Sequence, residues 1–444
     1  MNQQQFQFNW IDLPDIRRMR AASLQFQFSQ TEKLAQDDLR RLQLHLLRAL
    51  VQQSRQDVPF YRNRSYPAIN SWEDWQQLPV LTRRDVQQYR DELRSDVDLR
   101  EREGRSYPKR SSGSTGRPIE VLITDRTNLF WKAITLRDHL WQQRDFSQAL
   151  AVIKQSGDDQ TGPPGKRFRG WGESTGLLFK TGPSFMVSSR TDIREQYDWL
   201  RDLKPGYLLT YPSVLRELAL LNLSSSEPIH FLDITTQGET LSSETRALAQ
   251  QSFNCKICDL YSCQEVGYLA IQCPKTDHYH IQSETCLVEI LDDQNRACRP
   301  GETGRVVVTH LHNHVMPLIR YEIGDYAVMG ENCDCGIRLP VLQRILGRTR
   351  NLITYPDGSK QWPIYNMMKL VELQPNAQFQ LIQKSLETLL LRIGTNNPVS
   401  EEARQAMALT INERLKSPFQ VEFEIMAQIP RSKSGKFEDF ISEV

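Results

Sequence analysis

Between residues 149 and 251 short apolar runs alternate with stretches of helical periodicity, and that alternation constrains the fold more than any other feature of the chain. Ala149-Leu150-Ala151-Val152-Ile153 and Gly206-Tyr207-Leu208-Leu209-Thr210 are short and apolar, and read as buried strands. Residues 214–221 and 243–251 read as helices alternating with such strands, and strands interleaved with helices predict an α/β layered core. Upstream, Leu34, Leu39, Leu42, Leu46, Leu47 and Leu50 recur at helical spacing over residues 31–54, which predicts an amphipathic helix lying on that core. Residues 127–142, with Leu129, Trp131, Ile134 and Leu136, predict a second helix, in which Trp131 reads as core. Residues 304–309 open a more strand-rich section, and residues 378–444 hold the strand-helix-strand units of a small α+β domain.

Ahead of the first of those strands stands Ser111-Ser112-Gly113-Ser114-Thr115-Gly116-Arg117-Pro118. Four hydroxyls and two glycines let successive backbone N–H groups converge on an anion, and Arg117 adds a cation that can follow a chain of phosphates. The stretch is not a Walker A loop, because Arg117-Pro118 follows its second glycine where that motif has Lys-Ser/Thr opening a helix. Residues 119–124 read as a strand, so a phosphate cradle clamped by a sheet is favoured over a flexible linker.

Five further segments follow in order. Gln237-Gly238-Glu239-Thr240 comes after a strand read over residues 229–234 and places Gly238 and Glu239 at a strand end, where α/β sheets bind ligands. Asp259-Leu260-Tyr261-Ser262-Cys263-Gln264-Glu265 offers the Tyr261 ring for stacking on a base and the Glu265 carboxylate for Mg²⁺. Arg320-Tyr321-Glu322-Ile323-Gly324-Asp325 reads as a strand ending in a carboxylate suited to accepting two ribose hydroxyl protons; a plain Gly-Asp turn is the alternative. Gly347-Arg348-Thr349-Arg350-Asn351 reads as a turn between domains, and Ile429-Pro430-Arg431-Ser432-Lys433-Ser434-Gly435-Lys436 puts Lys436 on a small-residue loop.

This ordered set resembles the adenylate-forming superfamily of acyl-CoA synthetases and adenylation domains, most closely its phenylacetate-CoA ligase branch. The resemblance runs from Ser111 to Lys436. It implies a large N-terminal domain of layered sheets and helices with a β-rich subdomain over residues 1–346, and a small mobile α+β domain over residues 347–444. It implies ATP-dependent activation of a carboxylic acid, aryl or arylacetyl by default, to an acyl-adenylate, followed by transfer to coenzyme A. Ser111, Ser112, Gly113, Ser114, Thr115, Gly116 and Arg117 would wrap the pyrophosphate. Gly238 and Glu239 would line the adenine site beside Tyr261, Glu265 would bind Mg²⁺, Asp325 and Arg348 would hold the ribose, and Lys436 would bridge the acid and the α-phosphate. Two departures stand out: Gln264 replaces a hydroxyl residue, and Arg350-Asn351 replaces an acidic pair at the hinge. Transfer to an amine or a carrier-protein thiol, and a nucleotide-binding protein without catalysis, remain the rival readings. The aromatic residues between Phe130 and Val187, including Trp171, Phe179 and Phe185, are candidates to line the acid pocket.

All eight cysteines lie between Cys255 and Cys335, which suits reduced thiols with a local task better than a disulfide framework. Cys273, His280, Cys333 and Cys335 form two pairs in separate segments, the thiolate and imidazole set that tetrahedral structural zinc takes, with His278 able to replace His280 and Cys263 a weaker alternative. Some members of the resembling branch carry zinc in such a pattern. Lys+Arg 55 against Asp+Glu 54 gives a net charge of +1 and no electrostatic ground for a nucleic-acid or anionic membrane partner. With no signal-like N-terminus and no long apolar run, the reading is a cytoplasmic enzyme, and a homodimer or a carrier-protein partner is left open.

Overall fold

The computed structural model describes residues 15–110, 118–155, 161–363, 367–375, 377–432 and 435–444. The cradle residues Ser111, Ser112, Gly113, Ser114, Thr115, Gly116 and Arg117 lie outside them. Their flanks do not: Ser106–Arg110 pairs antiparallel with Glu120–Thr124, from Ser106 opposite Thr124 to Arg110 opposite Glu120.

One twelve-stranded sheet forms the body of the molecule. Its central strands Lys256–Cys263, Asp233–Gln237, Tyr207–Thr210, Leu150–Ile153 and Ser184–Val187 run parallel side by side. Ala151, Ile153, Leu208, Ile234 and Ile257 are fully or almost fully buried on them, as strands covered on both faces require. The helices Ile193–Leu203, Pro212–Leu223 and Ser243–Phe253 pack over them around Val214, Leu215, Leu218 and Ala249. Strands from residue 267 onward are antiparallel and continue the same sheet through Tyr279–Ile281, Val341–Arg348, Tyr321–Met329, Thr303–His310 and Cys286–Leu291. The strand-rich section is thus an extension of the α/β sheet. A separate four-stranded sheet, ordered Gln420–Met426, Thr388–Gly394, Gln378–Gln383 and Phe440–Ser442, carries the helix Glu401–Leu415 on its own core around Phe379, Leu391 and Ile411.

Three local expectations shift. The helix read over residues 31–54 is Gln36–Asp57, preceded by a separate helix Ile16–Thr31, and Leu34 sits in the turn between them, where it packs against the Leu39, Ile337 and Leu339 cluster. The strand read over residues 229–234 is Asp233–Gln237. Asn222 grips the backbone of Ile229 through its side chain and Leu232 is 56 % exposed, so the apolar run before Asp233 is a buried connection and not a ladder strand. Asp325 lies inside the strand Tyr321–Met329, not at its end: the pairing slips on either side of it, at Arg305/Val307 and Tyr326/Ala327, and these bulges let the strand carry on past a polar site.

Candidate functional site

A cavity of about 670 Å³ opens beyond the carboxyl ends of the parallel strands, the position in which open α/β sheets bind ligands. Lys154 and Gln155 follow the strand Leu150–Ile153, Tyr211 follows Tyr207–Thr210, Gly238 and Glu239 follow Asp233–Gln237, and Gln264 and Glu265 follow Lys256–Cys263; all of them line it. Asp325, Arg348 and Lys436 complete the wall, so the structure gathers in one cavity every sequence-predicted nucleotide residue that it describes.

Glu239 is the pivot of this arrangement. Oε2 accepts the backbone N–H of Ser213 at 2.9 Å, in the first turn of the helix Pro212–Leu223, which has no side-chain cap of its own. Oε1 accepts the backbone N–H of Phe437, the residue after Lys436, at 2.6 Å, and Arg431 Nη1 stands 3.9 Å from the same oxygen. Burial pushes the Glu239 carboxyl up, while Arg431 and the two N–H donors hold it down. Glu239 lines the cavity, and its oxygens serve the two backbones.

Gly238 has φ +81°, and a Cβ there would stand 3.3 Å from Lys436 Cε and 3.3 Å from the Tyr211 ring. Gly435 has φ +74°, and a Cβ there would meet Gln155 Oε1 at 2.7 Å. Two glycines on opposite elements therefore let the Lys436 segment lie flat on the sheet edge. Burial pushes the Lys436 ammonium down from its ordinary value, and Arg348 pushes the same way, against Glu239, Asp325 and Glu265.

Asp325 and Arg348 are direct cross-strand partners, with Arg348 Nε 3.4 Å from Asp325 Oδ1, and the Tyr261 hydroxyl donates to Asp325 Oδ2 at 2.9 Å. A carboxylate has about four lone-pair positions, so this one retains acceptor capacity toward a diol. Burial and then Asp325 push the Tyr261 phenol well above its usual range, keeping it a donor. Glu265 is 8 % exposed, lines the cavity, and makes no hydrogen bond or ion pair among the described residues.

Gly347 has φ +100° at the end of the strand Val341–Arg348, and a 3₁₀ turn, Thr349–Asn351, follows. Arg350, one of the two departures, pairs with Glu438, and Asn351 Nδ2 donates to the Phe440 carbonyl at 2.6 Å, so both hinge residues bond to the segment after Lys436.

The second cluster also assembles. Cys273, His278, His280 and Cys333 bring one ligand atom each within 4.8 Å of one another, and Cys335 Sγ lies 3.3 Å from His280 Nε2. Cys273 Sγ and Cys333 Sγ are 3.8 Å apart, and all eight cysteines are free. Two thiolates at about 2.3 Å from one tetrahedral zinc would lie about 3.8 Å from each other, a spacing that this pair matches. His280 Nδ1 faces the Leu339 carbonyl at 3.2 Å, leaving Nε2 as a ligand atom, and backbone N–H groups of Lys275, Cys335 and Ile337 point at the three sulfurs. Burial alone raises the Cys273 thiol, but hydrogen bonds from His280, Thr276 and Lys275 bring it down to about 5. Cys263 lines the nucleotide cavity instead, where burial and Glu265 push its thiol well up.

Two further expectations shift. Trp171 and Phe179 pack with Leu136, Phe146 and Tyr207, and Phe185 packs beside Val187 in the helix-covered core; none of the three lines the cavity of about 670 Å³. Trp131, read as core, is half-buried and lines two adjoining cavities. The sequence reading passed over Lys154, Gln155, Tyr211 and Arg431, although Arg431 stands in the very segment that it singled out.

Comparison with known proteins agrees with this geometry. Residues 363–443 match the family described as the CapK C-terminal domain. A phenylacetate-coenzyme A ligase of Thermus thermophilus is 23 % identical over 91 % of this chain and 96 % of its own, and Protein CapK of Staphylococcus aureus is 22 % identical over 81 % and 78 %. Among solved structures, 2-hydroxyisobutyryl-CoA ligase in the postadenylation state with an acyl-AMP bound superposes with a TM-score of 0.71 at 17 % identity, over 98 % of this chain and 94 % of that one. The same ligase in the thioesterification state scores 0.59 at 18 % identity, over 100 % and 96 %. These likenesses establish the fold.

Proposed function

We propose that the chain is a phenylacetate-CoA ligase-like member of the adenylate-forming superfamily, which activates a carboxylic acid with ATP and passes the acyl group to coenzyme A. The observation that carries the reading is Lys436, held against Gly238 at the mouth of the cavity by the Phe437–Glu239 bond.

The acid's carboxylate attacks the α-phosphorus of ATP; the new O–P bond forms, the α–β bridge breaks, and pyrophosphate leaves. Two anions meet and charge builds at phosphorus, so cations must stand ready. Lys436 is positioned to sit between the carboxylate and the α-phosphate, in a half-buried place where a fixed charge acts at reduced dielectric. Asp325 accepts from the ribose hydroxyls while Tyr261 and Arg348 hold its orientation. Gln264, standing where relatives of the family pattern carry a hydroxyl, can still donate through its amide. Glu265 would hold Mg²⁺, which supplies charge neutralisation to the phosphates when bound. In the second step the coenzyme A thiolate attacks the acyl carbonyl and AMP leaves. The hinge at Gly347 would let residues 347–444 turn Lys436 away to admit the thiol.

Zinc at Cys273, His280, Cys333 and Cys335, with His278 the alternative imidazole, would be structural: it ties the segment after the strand Gly267–Gln272 to the loop after Tyr321–Met329. No helix of the described residues is long and apolar enough to cross a membrane, and a pool of eight free thiols suits the reducing cytoplasm.

The test separates the two steps. Lys436→Ala is expected to lose acyl-adenylate formation and still transfer a supplied acyl-adenylate to coenzyme A. Equal loss of both steps contradicts the assignment. Transfer to an amine or a carrier thiol, with coenzyme A inert, contradicts the acceptor alone.

A further inference from the structure

A second, much smaller pocket adjoins the nucleotide cavity, and Trp131 and Gln264 line both. It lies between the helix Asp125–Trp141 and the strand Gly267–Gln272. Its void is about 30 Å³, whereas a benzene-sized guest occupies a cavity on the order of 150 Å³. Gly267, with φ +108°, faces the Trp131 ring, which would stand 3.4 Å from a Cβ there, so a side chain at this position would fill the gap between the two walls.

The lining holds donors and no acidic side chain. The Lys109 ammonium stands 4.9 Å from the Trp131 ring centre and has no carboxylate partner among the described residues. His310 Nδ1 accepts the backbone N–H of His312 at 3.0 Å, which puts the ring proton on Nε2, and among the described residues no acceptor meets that proton. Burial pushes the His310 imidazole down to about 3, so the ring is neutral in this tautomer, and it also pushes the Lys109 ammonium down, a cost that an anion beside it would remove. Asn128 adds an amide to the same wall.

Resting on the adenylation reading above, we propose that the acid is short and ends in a second anionic group, which Lys109 and His310 bind while its reacting carboxylate faces Lys436. Its class is a small dicarboxylate or a short carboxylic acid bearing a sulfonate or phosphate. A neutral aryl acid lacks the charge and exceeds the space.

Acid-dependent exchange of labelled pyrophosphate into ATP tests this with matched pairs: succinate against butyrate, malonate against propionate, and phenylacetate alongside. The diacid of each pair is expected to have the higher kcat/KM by about tenfold or more, as one charge-assisted hydrogen bond predicts. Lys109→Met is expected to reverse the order while keeping butyrate exchange, which also shows that the variant folds. Wild-type preference for phenylacetate or butyrate, or an unchanged ratio in Lys109→Met, overturns the proposal. Tryptophan fluorescence titration with succinate separates its failure from that of the adenylation reading. Lys109-dependent binding without exchange keeps the pocket and overturns adenylation; neither binding nor exchange overturns both.

Discussion

The backbone N–H of Phe437 donates to Glu239 Oε1 at 2.6 Å while Glu239 Oε2 accepts the N–H of Ser213, so one buried carboxylate joins the segment carrying Lys436 to the first turn of a helix in the main sheet domain. Glu239→Gln offers one acceptor oxygen to two N–H donors and leaves one of them unmet at a cost of about 1–3 kcal/mol. Adenylate formation is expected to fall about 10- to 100-fold, while transfer from a supplied acyl-adenylate keeps its rate. Single-turnover measurement of each half-reaction checks this.

Arg431 reinforces the same joint, with Nη1 donating to Ser213 Oγ at 2.7 Å and Nη2 to Glu217 Oε1 at 3.1 Å. Both side chains of the Arg431–Glu217 pair are largely buried, 11 % and 14 % exposed. Removing one partner of such a pair strands the other, and Arg431→Ala is expected to shift the population away from the closed arrangement. Limited proteolysis around Gly347 in the presence of ATP should show faster cleavage than in the wild type.

The pH dependence follows from Lys436. Its ammonium is the active form, and burial lowers its pKa below the ordinary lysine value of 10.5, so activity is present at lower pH and is lost as pH rises through that lowered value. The alkaline limb of kcat/KM for ATP is therefore expected below 10.5, and Lys436→Arg, which does not titrate in this range, is expected to abolish the limb at reduced rate. A wild-type profile whose alkaline limb does not fall below 10.5 contradicts the role.

Asp325→Asn keeps the shape of the side chain and removes its charge and one acceptor. The KM for ATP is expected to rise about tenfold or more with little change in the KM for the acid, as steady-state kinetics with each substrate varied will show.

Removing zinc should act on stability rather than chemistry. Cys273→Ser is expected to lower metal content and the melting temperature together, without a change in the ratio of the two half-reaction rates. Protein that is folded, active and free of zinc by elemental analysis overturns the site.

Ordered short motifs made the nucleotide residues legible, because glycines, a carboxylate and an aromatic ring at strand ends have few other uses together. Gly238, Glu239, Tyr261, Glu265, Asp325, Arg348 and Lys436 meet in one cavity as that order implies. The cysteine–histidine cluster was legible from residue type alone, since Cys273 and Cys333 lie 60 positions apart and only the sheet brings them within 3.8 Å. What escaped is what sequence does not encode locally. Trp131 looks identical as core or as wall, and Ile229-His230-Phe231 looks like a strand until Asn222 is seen holding its backbone. The working partner of Glu239 is a backbone N–H that any residue at position 437 supplies, so no side-chain pattern announces it.

The most direct measurement is exchange of labelled pyrophosphate into ATP over a panel of short dicarboxylic, aliphatic, aryl and arylacetic acids, in the wild type and in Lys436→Ala. The account predicts exchange that requires an acid, that the Lys436→Ala variant lacks, and that yields an acyl-AMP in single turnover. No exchange with any acid, or exchange that Lys436→Ala retains, contradicts it.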